Sequence, residues 1–313
     1  MSEISVLVPS YNHAPFVERT LRSIFAQTLP PKKLIVIDDG SKDESVEIIK
    51  RVLQDCPFEN EFIARENRGL CATLNEGFAR TDAEFFAYLG SDDVWLPEFL
   101  SKQIELLNER SNAVLAFGHA FVIDEDDQII DRTDNWTNFA DGDLLPTLLH
   151  GIIFSSPSVV YRRAALEKHS WNKDSQLEDY ELYLKLAADG EFARNKEILC
   201  AWRQHRGNVS GDTPLMLDEM IAAQNRVADK LEISRAELEK IQKEVKFEAV
   251  FNFVRHGKRR EAVSLFWKNL GGARSISQIG KMLFRFAVPQ TPFQWNRRRK
   301  RQESIEKYGK LEI

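Results

Sequence analysis

The sequence predicts an α/β fold with a mostly parallel central sheet flanked by helices and a helical appendage at the C-terminal side. Three observations predict it. Short apolar runs alternate with amphipathic segments from Ile4 to about residue 210; three of the first four runs end in polar, acid- or amide-rich loops; and from about Pro214 onward no convincing strand follows. Alternating strands and helices require crossover connections, which set the strands parallel and cover both sheet faces with helices. Loops at the carboxyl ends of such strands share one rim, where open α/β sheets bind ligands.

The elements follow in order. Ile4 to Val8 is an apolar strand, followed by the turn Pro9-Ser10-Tyr11-Asn12 and an amphipathic helix through Phe16, Val17, Leu21, Ile24 and Phe25. Leu34 to Ile37 is the second strand and runs into Asp38-Asp39-Gly40-Ser41, with a capped helix to Leu53. A third strand, Phe62 to Ala64, gives way to Glu66-Asn67-Arg68-Gly69 and a helix over Leu70 to Ala79. Phe85 to Leu89 is the fourth strand and delivers Gly90-Ser91-Asp92-Asp93. Beyond it come a helix over 100–108, a strand at Val114 to Phe117, a hairpin around Asp124 to Asp127, and strands at 159–161 and 198–202. A helical pattern spans Gln176 to Ala187 and stops at Asp189-Gly190. The last part reads as helices over 216–231, 235–255, 260–270 and 276–288.

Composition narrows the function. With 313 residues, 43% hydrophobic and 29% charged, the chain can bury a sizeable core, and its net charge of -5 excludes a general nucleic-acid binder. The charge is uneven. Residues 255–310 hold fifteen Lys/Arg against three Glu, so this tail carries +12 and the remainder -17. Cys56, Cys71 and Cys200 form no CxxC pair, the N-terminus lacks signal-peptide regions, and the uncharged run from Leu144 to Tyr161 is broken by Pro146 and Gly151. A cytoplasmic chain without membrane spans is expected.

The turn after the first strand lacks both Gly-x-Gly-x-x-Gly and Gly-Lys-Ser/Thr, which removes the dinucleotide-binding and P-loop classes. The acid pair Asp92-Asp93 suits a divalent ion, since Mg²⁺ and Mn²⁺ take oxygen ligands from one or two carboxylates and from substrate phosphates. Helix capping by Ser91 or Asp92 is the alternative reading of the same residues.

Ser5-Val6-Leu7-Val8-Pro9-Ser10-Tyr11-Asn12, Val36-Ile37-Asp38-Asp39-Gly40-Ser41, Glu66-Asn67-Arg68-Gly69 and Ser91-Asp92-Asp93 follow one another in the order and spacing of the family 2 glycosyltransferases. Glu178-Asp179 before Leu182-x-Leu184-x-Leu186 resembles the family's catalytic-base helix. Arg203-x-His205 with Ser210 is similar to its late Tyr-Arg-x-His motif, with Trp202 in place of the usual Tyr. The resemblance covers residues 4 to 210. It implies a GT-A fold, inversion, and a nucleotide-diphosphate sugar donor, UDP-linked in the first instance.

The resemblance also implies roles. Pro9, Tyr11, Asn12, Asp39, Asn67, Arg68 and Asp92 would bind the nucleotide sugar, with Tyr11 stacking on the base and Asp39 accepting from a base N–H. Arg68 could equally make a surface ion pair. Asp93 and His205 would hold the divalent cation, Mn²⁺ or Mg²⁺, which takes up charge on the departing diphosphate. Asp179 would be the general base toward the acceptor hydroxyl, with Glu178 orienting it or binding acceptor; an exposed first-turn acid is the alternative for Asp179. The remaining histidines are read as structural or exposed.

Residues 1–213 are thus the expected catalytic domain and 214–313 a helical region with a basic, aromatic tail. Phe284, Phe286, Phe293 and Trp295 beside Arg285 and the run Arg297 to Arg301 suit either an anionic membrane surface or a packed appendage with a solvated charged face. The acceptor is then a sugar or a lipid-linked sugar, in bacterial surface polysaccharide or glycolipid synthesis by analogy with the family. Absence of Gln-x-x-Arg-Trp favours single addition over polymerisation. A sugar nucleotidyltransferase would need a Gly-rich basic loop where Pro9 to Asn12 stands, and a non-catalytic nucleotide-binding scaffold would not require both Asp93 and Asp179.

Overall fold

The computed structural model describes residues 3–136, 140–151, 154–208 and 211–312. Ser210 of the late motif lies outside them, as do 152–153 of the uncharged run from Leu144 to Tyr161. The first half runs β1 (Ile4–Ser10), α1 (Val17–Phe25), β2 (Lys33–Asp38), α2 (Ser45–Val52), β3 (Asn60–Ala64), α3 (Leu70–Ala79), β4 (Phe85–Tyr88), β5 (Val94–Trp95) and α4 (Phe99–Glu109). It continues through β6 (Ala113–Phe117), β7 (Ala120–Ile123), β8 (Ile129–Arg132), α5 (Leu145–Leu148), β9 (Val160–Arg162), α6 (Arg163–Leu166), α7 (Tyr180–Asp189), β10 (Glu191–Arg194) and β11 (Cys200–Arg203). Helices complete it: α8 (Thr213–Val227), α9 (Arg235–Arg255), α10 (Arg259–Lys268), α11 (Ile276–Ala287) and α12 (Gln290–Tyr308).

Among the described residues the central sheet has the order β10-β6-β9-β4-β1-β2-β3. Every neighbouring pair is parallel except those of β9, which lies antiparallel between β4 and β6. The expected mostly parallel sheet with flanking helices is therefore the observed one. Its inner strands β1, β2 and β4 are largely apolar because both faces are covered, whereas the edge strands β3 and β10 carry polar and charged residues. Ile4, Val6 and Val8 pack with Val17, Leu21 and Ile24 of α1 and with Leu100 and Ile104 of α4, while Leu7 between them belongs to the opposite core with Leu74 of α3 and Tyr183 of α7. Successive residues of a strand point to opposite faces, so one apolar run serves two cores.

A smaller sheet has the order β5-β11-β7-β8. β5 has only two residues and pairs antiparallel with β11, which fixes the chain leaving Asp93 against the chain entering Arg203. The C-terminal helices stack outward from α7, and α12 then brings the chain back. Lys310 bridges to Gln128, and Leu311 is buried with Val94, Ile123, Ile129 and Ala201. Arg19 donates to the Leu311 carbonyl at 2.6 Å.

The structure differs from the sequence reading at a few elements. β5 and β10 are additional strands, α7 begins at Tyr180 instead of Gln176, and 290–308 is one continuous helix. The three cysteines are free, with Cys71 and Cys200 buried.

Candidate functional site

The carboxyl ends of β1 and β2 are level, with Ser10 opposite Asp38. Their two loops are clasped together. Asn12 adopts a positive φ of 54°, receives the Lys42 N–H on its Oδ1 at 2.8 Å and donates its own N–H to Ser41 Oγ at 2.8 Å. Gly40 has φ +84°, and a Cβ there would stand 2.8 Å from the Asn67 nitrogen, so only glycine fits where the β2 and β3 loops meet. Asp39 is bound into that junction: its carboxylate pairs with Arg65 and accepts the N–H groups of Arg68 at 2.9 Å and Gly69 at 2.8 Å. The cation beside Asp39 is thus Arg65, whereas the Arg68 side chain is 65% exposed and reaches only toward Glu76 at 3.9 Å.

The loop after β4 carries the acid pair. A Cβ on Gly90 would lie 2.8 Å from Asp92 Oδ1 and 3.3 Å from Asp93 Oδ2, so the missing side chain is what lets both carboxylates fold back over the loop. The two acids then diverge. Asp92 accepts from His205 Nε2 at 2.9 Å and lies 3.8 Å from His13 Nδ1, which also contacts Ser91 Oγ at 2.8 Å. Gly207 donates its N–H to His205 Nδ1 at 3.0 Å, which leaves Nε2 as the protonated nitrogen facing Asp92. One ligand atom each from His13, Asp92 and His205 lies within 4.8 Å of the others.

Asp93 is not part of that cluster. Its Oδ1 accepts the Arg203 backbone N–H at 2.8 Å, and Arg203 Nε donates to the Asp92 carbonyl at 2.7 Å. Where the sequence argument gives the cation to Asp93 and His205, the geometry brings Asp92 and His205 together. Sequence alone does not tell which of two adjacent acids pairs with His205. Burial, then the neighbouring Asp92 charge, push the Asp93 pKa well up. Burial also opposes the charge on Asp92, but the hydrogen bond from His205 and the fields of His13 and His205 outweigh it and bring its pKa down. Burial lowers the pKa of His13 and keeps its imidazole neutral more readily.

Glu178 and Asp179 stand at the start of α7. Asp179 occupies the N-cap position, yet its side chain makes no capping bond, and its Oδ1 is buried without a hydrogen-bond partner among the described residues. It is therefore not an exposed first-turn acid. Burial and the adjacent Glu178 push its pKa well up. Glu178 is raised by burial too, and accepts from the Tyr88 hydroxyl at 3.3 Å.

A cavity of about 630 Å³ joins these parts. Pro9, Tyr11, Asp39, Asn67, Asp92, Asp93, Glu178, Asp179 and His205 all line it, while Asn12 and Arg68 do not. Tyr11 remains 45% exposed at the mouth. Among the lining residues to which the sequence reading gave no binding role are His13, Trp136 and Trp202, the two indoles standing 6.2 Å apart edge to face. His13, one of the histidines read as structural or exposed, is half-buried and lines the cavity. Its signal was its position next to Asn12 in the first rim loop. Arg65, which holds Asp39, gave no such signal, because its partner is remote in sequence; Arg203 stands in the late motif, but its hold on the acid loop is not legible there.

Comparison with known proteins places this architecture. An uncharacterised glycosyltransferase of Nostoc is 32% identical over 170 residues, covering 53% of this chain and 52% of that protein; the match thus spans about half of the relative's length. S. aureus TarS 1-349 in complex with UDP-GlcNAc superposes with a TM-score of 0.63 at 16% identity, over 99% of this chain and 93% of that one. A mannosyltransferase of Pyrobaculum calidifontis, solved with GDP-Man and Mn²⁺, gives 0.62 at 15% identity over 97% and 86%. At these identities the likeness is one of fold. The sequence model of glycosyl transferase family 2 matches residues 5–170, a little over half of the chain. The chain belongs to glycosyl transferase family 2.

Proposed function

We propose that this protein transfers a single sugar, with inversion, from a nucleotide-diphosphate sugar to a hydroxyl acceptor, with Asp179 as general base. One observation carries the proposal: the buried Asp179, whose Oδ1 has no hydrogen-bond partner among the described residues, lines the same cavity as the Asp92 and His205 pair. A carboxylate oxygen left without a protein partner is available to take a hydroxyl proton, and a raised pKa moves the group toward the range useful for a base. Inversion requires attack from the face opposite the leaving group, so Asp179 and the diphosphate-binding residues must bracket the sugar.

The remaining residues divide the donor among them. Tyr11 at the cavity mouth offers a ring for a base to stack on. Asp39, held by Arg65 and two backbone N–H groups, keeps lone-pair capacity for a base N–H. Asp92 and His205 provide one oxygen and one nitrogen for a divalent cation, Mn²⁺ or Mg²⁺; Asp93 braces their loop through Arg203. Such a cation would neutralise charge on the leaving diphosphate. For His205 Nε2 to act as a ligand its proton must pass to Nδ1, which breaks the Gly207 contact, so the turn at 205–208 rearranges as the site fills. The UDP-GlcNAc and GDP-Man complexes of the structural neighbours support the donor class, and the Mn²⁺ of one supports the cation.

On this reading residues 1–213 form the catalytic domain and 214–313 a helical region that addresses a sugar or lipid-linked sugar acceptor. No helix of the described residues is long and apolar enough to cross a membrane. The basic α10 to α12 region exposes Trp267, Ile276, Phe284 and Trp295, which supports contact with an anionic lipid surface. The test of the base is Asp179→Asn: donor binding should persist unchanged while turnover falls by about 10²- to 10⁴-fold. Retention of turnover would remove Asp179 from the reaction; absence of turnover in the wild type itself, with nucleotide binding intact, would favour the non-catalytic scaffold.

A further inference from the structure

The first loop of the rim contributes a group that neither the motif spacing nor the acid pair called for. His13 follows Asn12, whose side chain clasps the 41–42 turn, and the His13 backbone N–H is itself held by Ser45 Oγ at 3.0 Å. The imidazole is thereby aimed across the cavity from a fixed backbone. Its ring stands 5.3 Å from that of His205, edge to face, and both rings lean on Phe16. His13 Nδ1 lies 3.8 Å from Asp92 Oδ1, while His205 Nε2 lies 2.9 Å from Asp92 Oδ2, so the two imidazoles flank one carboxylate from opposite loops. The side chains are 23%, 13% and 9% exposed for His13, Asp92 and His205, enough to open on the cavity and too little to be a solvated cluster.

We propose that His13 is a third protein ligand of the divalent cation, and that the resulting two-nitrogen, one-oxygen set selects a first-row transition ion over Mg²⁺. The inference rests on the reading of Asp92 and His205 as cation ligands and adds the residue that sets its selectivity. Mg²⁺ prefers an all-oxygen shell and parts reluctantly with water, whereas Mn²⁺, which also takes oxygen, accepts imidazole more readily than Mg²⁺, and that affinity rises through its heavier first-row neighbours. An acid-only site at this rim would take either ion from the cellular pool. A site with two imidazoles gains little from Mg²⁺ and a full nitrogen ligand from Mn²⁺. The Ser91 hydroxyl 2.8 Å from His13 Nδ1 serves the same end in the ion's absence, since its proton can occupy the lone pair that the ion would use.

The simplest rival is that His13 only positions Ser91. Three proteins separate the two: the full-length wild type, His13→Gln and Ser91→Ala, each carrying 15N-labelled histidine and titrated with Mn²⁺ alone and with Mg²⁺ alone. Pulsed electron–nuclear double resonance of the bound Mn²⁺ counts coordinated histidine nitrogens, and calorimetry gives both affinities. Two coupled nitrogens are expected in the wild type and in Ser91→Ala, and one in His13→Gln. His13→Gln should lose about tenfold or more in Mn²⁺ affinity with less than twofold change for Mg²⁺. A single coupled nitrogen in the wild type, or an unchanged Mn²⁺ to Mg²⁺ ratio in His13→Gln, overturns the role of His13 and leaves the Asp92 and His205 site standing. Failure of the wild type to bind Mn²⁺ at all overturns both together.

Discussion

The Arg203 guanidinium, 1% exposed, forms an ion pair of 2.6 Å with Asp127 and joins the hairpin of β7 and β8 to the acid loop. The same group donates to the carbonyls of Asp92 and Asp124, each at 2.7 Å, and stacks 4.9 Å over the Phe16 ring. Its backbone N–H holds Asp93. One residue at the end of β11 thus fixes the acid loop from behind while His205, two positions on, faces the cavity.

Replacing Arg203 by Met keeps the volume and removes every guanidinium donor, while the backbone N–H to Asp93 stays. Loss of one partner of a buried pair costs about 3 kcal/mol, at the lower end of the usual range because Arg19 still stands 3.5 Å from Asp127. Urea denaturation of Arg203→Met should show that loss, and Mn²⁺ binding should weaken with it. A destabilisation below about 1 kcal/mol, the worth of a single ordinary hydrogen bond, would show that the acid loop stands without its brace.

Asp179→Asn should make the protein more stable as it makes it inactive. The folded pKa of Asp179 is raised by burial and by Glu178, while the unfolded value is the ordinary 3.8. Between those two values the folded chain holds more protons than the unfolded one, so stability falls as pH rises across the window and the penalty is complete above the folded pKa. Each pKa unit is worth about 1.4 kcal/mol. Denaturation at pH 8 should favour Asn over Asp, and the difference should vanish below the ordinary carboxylate range. A pH-independent difference would mean that Asp179 is not held against its charge.

Two glycines offer a matched contrast. Gly90→Ala pushes a methyl against Asp92 Oδ1 and Asp93 Oδ2, so cation affinity should drop by about tenfold, the scale of a disturbed metal environment, with the fold retained. Gly280 lies within α11 with nothing within 4 Å of its would-be Cβ, and Gly280→Ala should stabilise by about 0.5–1 kcal/mol without touching cation binding. Equal effects of the two on Mn²⁺ titrations would dismiss the close approach at Gly90.

The tail makes its own prediction. Flotation with vesicles should show binding to phosphatidylserine-rich membranes and not to pure phosphatidylcholine, weakening as salt screens the charge. Neutralising two exposed basic residues of α12, Arg298→Gln with Lys300→Gln, should cost about 2 kcal/mol, roughly thirtyfold in partition. No preference for anionic vesicles would leave α10 to α12 as a packed appendage with a solvated face.

How far the sequence carried is visible in particular elements. β1, β2 and β4 were legible because strands buried on both faces read as uninterrupted apolar runs, and the rim followed from their ends. β5 was not, since two residues have no period and Val94-Trp95 becomes a strand only by pairing with Cys200 and Ala201. β10, Glu191-Phe-Ala-Arg, hides its two buried residues between charges. The helix at 290–308 lacks an apolar stripe and is pinned from outside, by Arg301 to Asp124 at 2.6 Å and by the Leu311 anchor. At the site, Asp179 and Tyr11 could be named from their motifs. Which of Asp92 and Asp93 faces the imidazoles, and that His13 joins them, depends on contacts spanning about eighty to more than one hundred positions of sequence.

The most direct measurement is a thermal-shift panel of UDP, GDP, dTDP and CMP, each with and without Mn²⁺, on the wild type and Asp92→Asn. A nucleotide bound at one hundred times its Kd stabilises by about 2.7 kcal/mol. A shift of that size for one nucleoside diphosphate, present only with Mn²⁺ and lost in Asp92→Asn, is the predicted result. Absence of any Mn²⁺-dependent shift, or its survival in Asp92→Asn, would contradict the donor site described here.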